Sequence, residues 1–370
     1  MTFLGARHLL KQYFGFALSL ILVVLLAGGA IVRWPAQAQG GSQVATISAA
    51  SFEKGPVAPG AIVSAFGSSL AANVEVAKPG PLPTMLAGTK VKITDSRNEA
   101  RLAKLFFVAP TQINYIIPED LADGDATVTI TNSDGKESTG KVQIARAAPG
   151  LFTANANGKG VAAAVALRIK DGKYEPVARP DRSKECFVHE AIDLNPEDDR
   201  VFLILFGTGI RHAPDPDGDG NLRENIRVII GGIEIKPDFA GGAPGFEGLD
   251  QINVELPRTL IGRGVVDCTI TVDGFTTSSN RTTIEIKQSP NERGSPIVTG
   301  FSPPSVLAGK FLTINGMNFD PVKDKNLLLC GCTETRTMEE ATETRLSAKV
   351  PFGTASGIIA VRTSKGQGES

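Results

Sequence analysis

Three segments of the chain carry one short pattern, and that repetition limits the fold more than any other feature. Residues 60–70, 200–210 and 309–319 each run through alternating apolar positions to a glycine, Gly67, Gly207 or Gly316, and resume with an apolar residue three positions later. Two and four residues before each glycine stand Val63 and Ala65, Leu203 and Leu205, and Leu312 and Ile314. A period of two places both side chains of a pair on one face of a strand. Recurrence of such a unit along a chain is the mark of a serial architecture.

The repeat extends beyond the glycine. The first two copies share Gln112-Ile113-Asn114 and Gln251-Ile252-Asn253, closing on Pro118 and Pro257, and the third copy is a trimmed version closing on Pro351. A further β-rich stretch follows each proline, at 126–130, 268–272 and 357–361, and turn residues such as Asp134-Gly135 and Asp273-Gly274 follow the first two. These are hairpin signals. Helical periodicity is almost absent, so the expected fold class is all-β: three Ig-like antiparallel β-sandwiches in tandem after an N-terminal signal segment. The expected boundaries are 44–148 and 199–288 for the first two sandwiches, 149–198 for an inserted connector with a β-hairpin, and 295–368 for the third. The sole tryptophan, Trp34, precedes all three units, so the buried tryptophan of antibody-type domains has no counterpart.

The N-terminus reads as an export address. Arg7 and Lys11 precede an uncharged apolar run over 13–32, followed by Ala36-Gln37-Ala38, small residues at the positions a signal peptidase reads. Cleavage is expected after Ala38. The run is also long enough to span a bilayer, and an uncleaved anchor is the alternative. Either way the remainder is exported, to the extracellular space, the cell surface or the periplasm, and membrane contact is expected only through the N-terminal segment if it is retained.

Charge and composition exclude several function classes. Lys+Arg number 38 against 39 Asp+Glu, so no basic excess exists to hold a nucleic acid backbone. Only three histidines are present, one of them in the leader, which leaves most zinc-hydrolase and histidine-based sites short of parts. His189 with Glu190 and Asp193, and Ser64 or Ser69, supply the letters of a hydrolase triad, but no G-x-S-x-G elbow accompanies them. No catalytic residues are expected. The glycine clusters at 207–209 and 241–245 precede no helix and read as turns rather than phosphate loops.

Particular motifs carry a family resemblance. Through 81–84, 107–115, 148–153 and 239–254, residues about 50–290 resemble the Solibacter-type uncharacterised C-terminal domain family of exported acidobacterial proteins. Through 297–304 and 312–319, residues about 296–366 are similar to IPT/TIG domains, Ig-like modules of cell-surface receptors and bacterial surface proteins. The resemblance implies an exported chain of sandwiches and supplies no catalytic residue to carry over.

The sharpest chemical signal is Asp215, Asp217 and Asp219 with Gly220, Asn221 and Leu222. Carboxylates at loop positions 1, 3 and 5, a glycine at 6 and an apolar residue at 8 open an EF-type calcium loop. Asp215, Asp217, Asp219 and the Asn221 carbonyl are the expected ligands. Position 12, where a bidentate carboxylate belongs, is Ile226, so a solvated acidic turn is the alternative. The four cysteines, Cys186, Cys268, Cys330 and Cys332, all lie in the exported part. Cys186 with Cys268 is the expected bridge and free thiols are the alternative. The two Gln-Ile-Asn segments are expected to turn Ile113 and Ile252 into the core while their amides satisfy backbone groups at a strand bend, and a binding edge is the alternative.

Three functions remain: a non-catalytic surface adhesion or protein-interaction module, a structural spacer or assembly subunit of the envelope, and a carbohydrate-binding accessory. The partner would be an unidentified envelope protein or surface glycan. The third function is the weakest, because the mature chain retains only Tyr115 and Tyr174 and no tryptophan.

Overall fold

The computed structural model describes residues 43–181, 186–275, 278–287, 295–331, 333–354, 356–363 and 365–369. The signal-segment expectation falls on residues outside this set. Among the described residues the chain forms antiparallel sheets joined by turns and three single-turn 3-10 helices.

Each repeat supplies a central strand. In the first sandwich Ile62–Phe66 lies between Ala45–Ser48 and Gln112–Ile116, with Lys104–Val108 and Glu75–Val76 beyond. The facing sheet orders Ala100–Leu102, Lys90–Thr94, Gly124–Thr131 and Glu137–Ile144. In the second sandwich Val201–Thr208 lies between Ala164–Arg168 and Asp250–Glu255, opposite a sheet of Ile233–Ile235, Ile226–Ile230, Gly264–Val272 and Thr282–Ile286. In the third, Phe311–Met317 lies between Ile297–Ser302 and Arg345–Lys349, opposite Thr333–Thr335, Leu327–Cys330, Ile359–Thr363 and Gly366–Glu369.

The pairing register is the same in all three units. Ala65 faces Ile113, Leu205 faces Ile252 and Ile314 faces Leu346. All six alternating residues read from the sequence are fully buried, in three separate apolar cores. A one-residue slip would take all six out of the sandwich cores, so their alternation holds the register.

The repeated glycines do a different job from the turn role their position suggests. Gly207 and Gly316 lie inside their strands and Gly67 directly follows its own. The left-handed residue comes two positions later, at Ser69 (φ 56°), Gly209 (φ 92°) and Asn318 (φ 62°). At the glycine itself the constraint is close approach. A Cβ on Gly207 would stand 2.6 Å from the Gly150 carbonyl oxygen, and one on Gly316 would stand 2.0 Å from that of Ile297 and 2.3 Å from the Phe319 ring. The left-handed residue then swings Leu70, Ile210 or Phe319 inward, and each is buried in the core of its own unit.

The stretch 149–198 is only partly a connector. Gly150–Leu151, Ala164–Arg168 and Tyr174–Pro176 join the larger sheet of the second sandwich, because their apolar residues extend a core that the strands after residue 199 leave open. The part off that sheet is the hairpin of Ala178–Asp181 with Cys186–His189.

The units meet through buried interfaces. Ala49, Ala50 and Ile62 of the first sandwich pack with Phe152, Ile204, Phe206 and Leu249 of the second. Val265 of the second packs with Leu327, Leu329 and Ala360 of the third.

Gly316→Ala is expected to lower stability by about 2–3 kcal/mol, the cost of forcing a methyl into closed packing. Gly300→Ala, where a Cβ meets nothing within 4 Å, is the matched control and should change stability little. Denaturant midpoints of the two variants measure the difference.

Candidate metal-binding loop and buried polar junction

The acidic loop leaves the second sandwich after Pro214 and returns at Ile226–Ile230. Its base is tied by the Asn225 side-chain amide donating to the Pro214 carbonyl at 2.7 Å. Gly218 (φ 69°) and Gly220 (φ 78°) take the left-handed turns that fold it inward. One carboxylate oxygen from each of Asp215, Asp217 and Asp219 then lies within 4.8 Å of the others. Asp215 accepts N–H bonds from Gly218 (3.1 Å) and Gly220 (2.9 Å), and Asp219 accepts one from Asn221 (2.7 Å), so the backbone holds these carboxylates in place.

The sequence-predicted ligands divide into two kinds. The three aspartates converge. The Asn221 side chain is spent on the neighbouring strand: it donates to the Asp238 carbonyl (3.1 Å) and accepts from the Ala240 N–H (2.9 Å), leaving only its main-chain carbonyl for a cation. Ile226 at position 12 is fully buried in the second core, and Glu224 is paired with Arg223 at 2.8 Å. The oxygen donors fit a hard cation such as calcium, with water completing the shell.

The letters of a triad are dispersed. The Ser64 hydroxyl donates to Asn114 (2.9 Å) on the first sandwich, Glu190 pairs with Arg179, and Asp193 pairs with Lys287. His189 is buried between the hairpin, the second sandwich and the third. Its Nδ1 accepts from Arg362 (2.6 Å), so its Nε2 carries the proton and donates to the Thr283 hydroxyl (2.9 Å), which in turn donates to Glu334 (3.2 Å). Glu285 stands 4.0 Å from Arg362, and Arg336 pairs with Asp267. Sequence reading missed this network, because its members are far apart in the chain and share no motif.

The cysteines depart from expectation. Cys268 is a free thiol buried in the second core, where loss of solvent pushes its pKa up to about 12, and Cys330 is likewise free. Cys186 is disulfide-bonded, so the Cys186–Cys268 bridge is not made. The reason is placement: Cys268 points inward between two sheets, whereas Cys186 lies on the hairpin outside that core. Cys332 falls outside the described residues.

The paired amides also differ in detail. Ile113 and Ile252 enter the cores, but Gln112 donates to Asn114 (2.9 Å) and Gln251 to Asn253 (2.8 Å), side chain to side chain along one strand.

Burial, together with the charges of Arg362 and Arg336, holds His189 well below the usual imidazole range. The unfolded chain therefore takes up a proton near pH 6.5 that the folded chain refuses. Below that pH the group should cost about 1.4 kcal/mol of stability per pH unit until its folded pKa is reached. His189→Gln keeps an acceptor for Arg362 and a donor for Thr283. Melting curves of the two proteins should diverge on acidification below pH 6.5, with the variant losing less.

No known family model matches the chain, and no curated protein matches it. Among solved structures, the SGBP-B protein of the Bacteroides ovatus mixed-linkage glucan utilization locus, in complex with a mixed-linkage heptasaccharide, is 13% identical; the match covers 86% of this chain and 72% of that one with a TM-score of 0.27. Dimeric latent PorU from Porphyromonas gingivalis is 11% identical over 89% of this chain and 33% of its own, with a TM-score of 0.23. Dpr2 Ig1-Ig2 in complex with DIP-Theta Ig1-Ig3 is 9% identical over 89% and 97%, with a TM-score of 0.17. At these scores none of the three bears on what this chain binds.

Proposed function

We propose that this chain is an exported, non-catalytic interaction protein in which three Ig-like sandwiches act as one stiff body carrying its binding loops at fixed separations. The observation that carries this reading is the nature of the junctions. Apolar side chains of adjacent units share buried clusters, and buried polar groups bond across both boundaries, Ile62 N–H to Thr208 in the first and His189 to Arg362 in the second. Units meant to move independently are joined by exposed linkers instead. Within this reading the first two units are of the Solibacter-type family and the third is an IPT/TIG-like module, on the motifs that carry those resemblances.

A structural spacer of the envelope is the second reading, favoured by the same stiffness. The carbohydrate reading is weaker: Tyr115 is fully buried with its hydroxyl bonded to Thr46, and Tyr174 packs against the cluster between the first two sandwiches. Purified residues 39–370 should bind isolated cell envelope saturably and be displaced by an excess of unlabelled protein. A spacer held only by its own N-terminus would show no saturable binding.

Calcium at the acidic loop would stiffen one of the presented loops. The incomplete ligand set points to a Kd of about 10⁻⁴–10⁻³ M, the range of extracellular modules. At a hundredfold excess of calcium over Kd, stability should rise by about 2.7 kcal/mol, and Asp217→Ala combined with Asp219→Ala should abolish the shift. Thermal melts over a titration into the millimolar range measure both.

A further inference from the structure

Leu307 and Phe352 are the two most exposed large apolar side chains among the described residues, at 77% and 80%. They lie far apart in sequence, on two loops that are hydrogen-bonded to each other at one end of the third sandwich. There the loop between Ile297–Ser302 and Phe311–Met317 meets the loop that leaves Arg345–Lys349. Gly309 N–H donates to the Val350 carbonyl (2.7 Å) and Val350 N–H to that of Lys310 (2.9 Å). The tip of the Phe352 ring lies over Gly309, 2.8 Å from where a Cβ would be, and the φ of +82° there favours glycine.

Neighbouring residues explain why this surface points outward. Val306 packs on the third core, which turns Leu307 to solvent. Phe311 begins the outward face of its strand and is 49% exposed. Opposite it, the Lys349 ammonium stands 5.2 Å from the ring centre. Lys310 is exposed as well. Residues 303–310 and 350–358 contain no Asp or Glu, and among the described residues no carboxylate pairs with either lysine. The result is a loop tip of three apolar side chains flanked by two unneutralised cations.

We propose that this tip is a membrane-docking site that seats on an anionic lipid surface. Leu307, Phe311 and Phe352 would enter the boundary between headgroups and acyl chains, where their burial is favourable, while Lys310 and Lys349 remain at headgroup depth against the lipid phosphates. Charge decides between this occupant and a second copy of the chain. Two such tips brought together would set four lysines against one another with no acid between them, whereas an anionic bilayer answers both the apolar and the cationic part. The contact is separate from the N-terminal segment and does not depend on the interaction reading above.

The test uses residues 39–370, whose three cores are built from Val44 to Val361, in buffer with a calcium chelator. Co-sedimentation is compared on vesicles of equimolar phosphatidylglycerol and phosphatidylcholine and on phosphatidylcholine alone. The unaltered protein should bind the anionic vesicles more tightly by about fivefold for each of the two lysines. L307S/F352S, which alters exposed side chains and should keep the parent melting temperature, should lose binding to both. K310E/K349E should lose the preference for anionic lipid. Failure of the unaltered protein to sediment with anionic vesicles would overturn the proposal, as would sedimentation of L307S/F352S equal to it. Should L307S/F352S not fold, an unchanged lipid preference in K310E/K349E would overturn it alone.

Discussion

One buried hydroxyl bonds the first two sandwiches to each other within their shared apolar cluster. Thr208, at the end of the central strand of the second unit, accepts the Ile62 N–H at 2.9 Å and donates to the Gly248 carbonyl at 2.8 Å. Its position lets Ile62 pack directly on Gly248, where a Cβ would stand 2.6 Å from the isoleucine side chain. Beside it, Arg211 lays its stem on Gly60 of the first unit and pairs with Asp250 at 2.9 Å. Asp250 is fully buried, and burial outweighs the arginine to push its pKa up to about 6. Such a pair adds little net stability over an apolar substitute, but loss of either partner strands a charge. It therefore favours one docking geometry over looser alternatives.

The third sandwich is attached by different means. Its apolar contact with the second unit is small, four residues, and the hydrogen-bonded chain from Arg362 through His189 and Thr283 to Glu334 supplies direction that an apolar patch lacks. Polar groups in a low-dielectric setting reward one arrangement and penalise others, because an unmet donor or acceptor there is costly. The hairpin that carries His189 thus works as a wedge between units. Its buried histidine bonds to a residue of each of the two units.

The repeat made most of the fold legible in advance. Strand identity and register at Val63, Leu203 and Leu312 follow from alternation, because only one setting of each strand places these alternate residues in its sandwich core. The role of the repeated glycine was less legible: the same letter serves a left-handed turn or a close backbone approach, and only the neighbours at Gly150 and Ile297 distinguish them. The strands at 150–151, 164–168 and 174–176 were hidden for a related reason. They lie outside the repeat and add to a sheet whose open edge is visible only in three dimensions. At the acidic loop, the three aspartates and the lack of a ligand at Ile226 were readable, since both depend on spacing within one short segment.

Local information thus determined what this protein is made of: strands, turn positions, a sandwich class and one candidate cation loop, all encoded within a few residues of each feature. Tertiary structure decided everything that joins residues distant in the chain. It withheld Cys268 from Cys186 by turning it into a core, spent His189 on a junction, and brought the loop of Leu307 against the loop of Phe352. The physical reason is that alternation and turn chemistry act between near neighbours, whereas packing of one sheet on another depends on shapes and charges that no single segment contains.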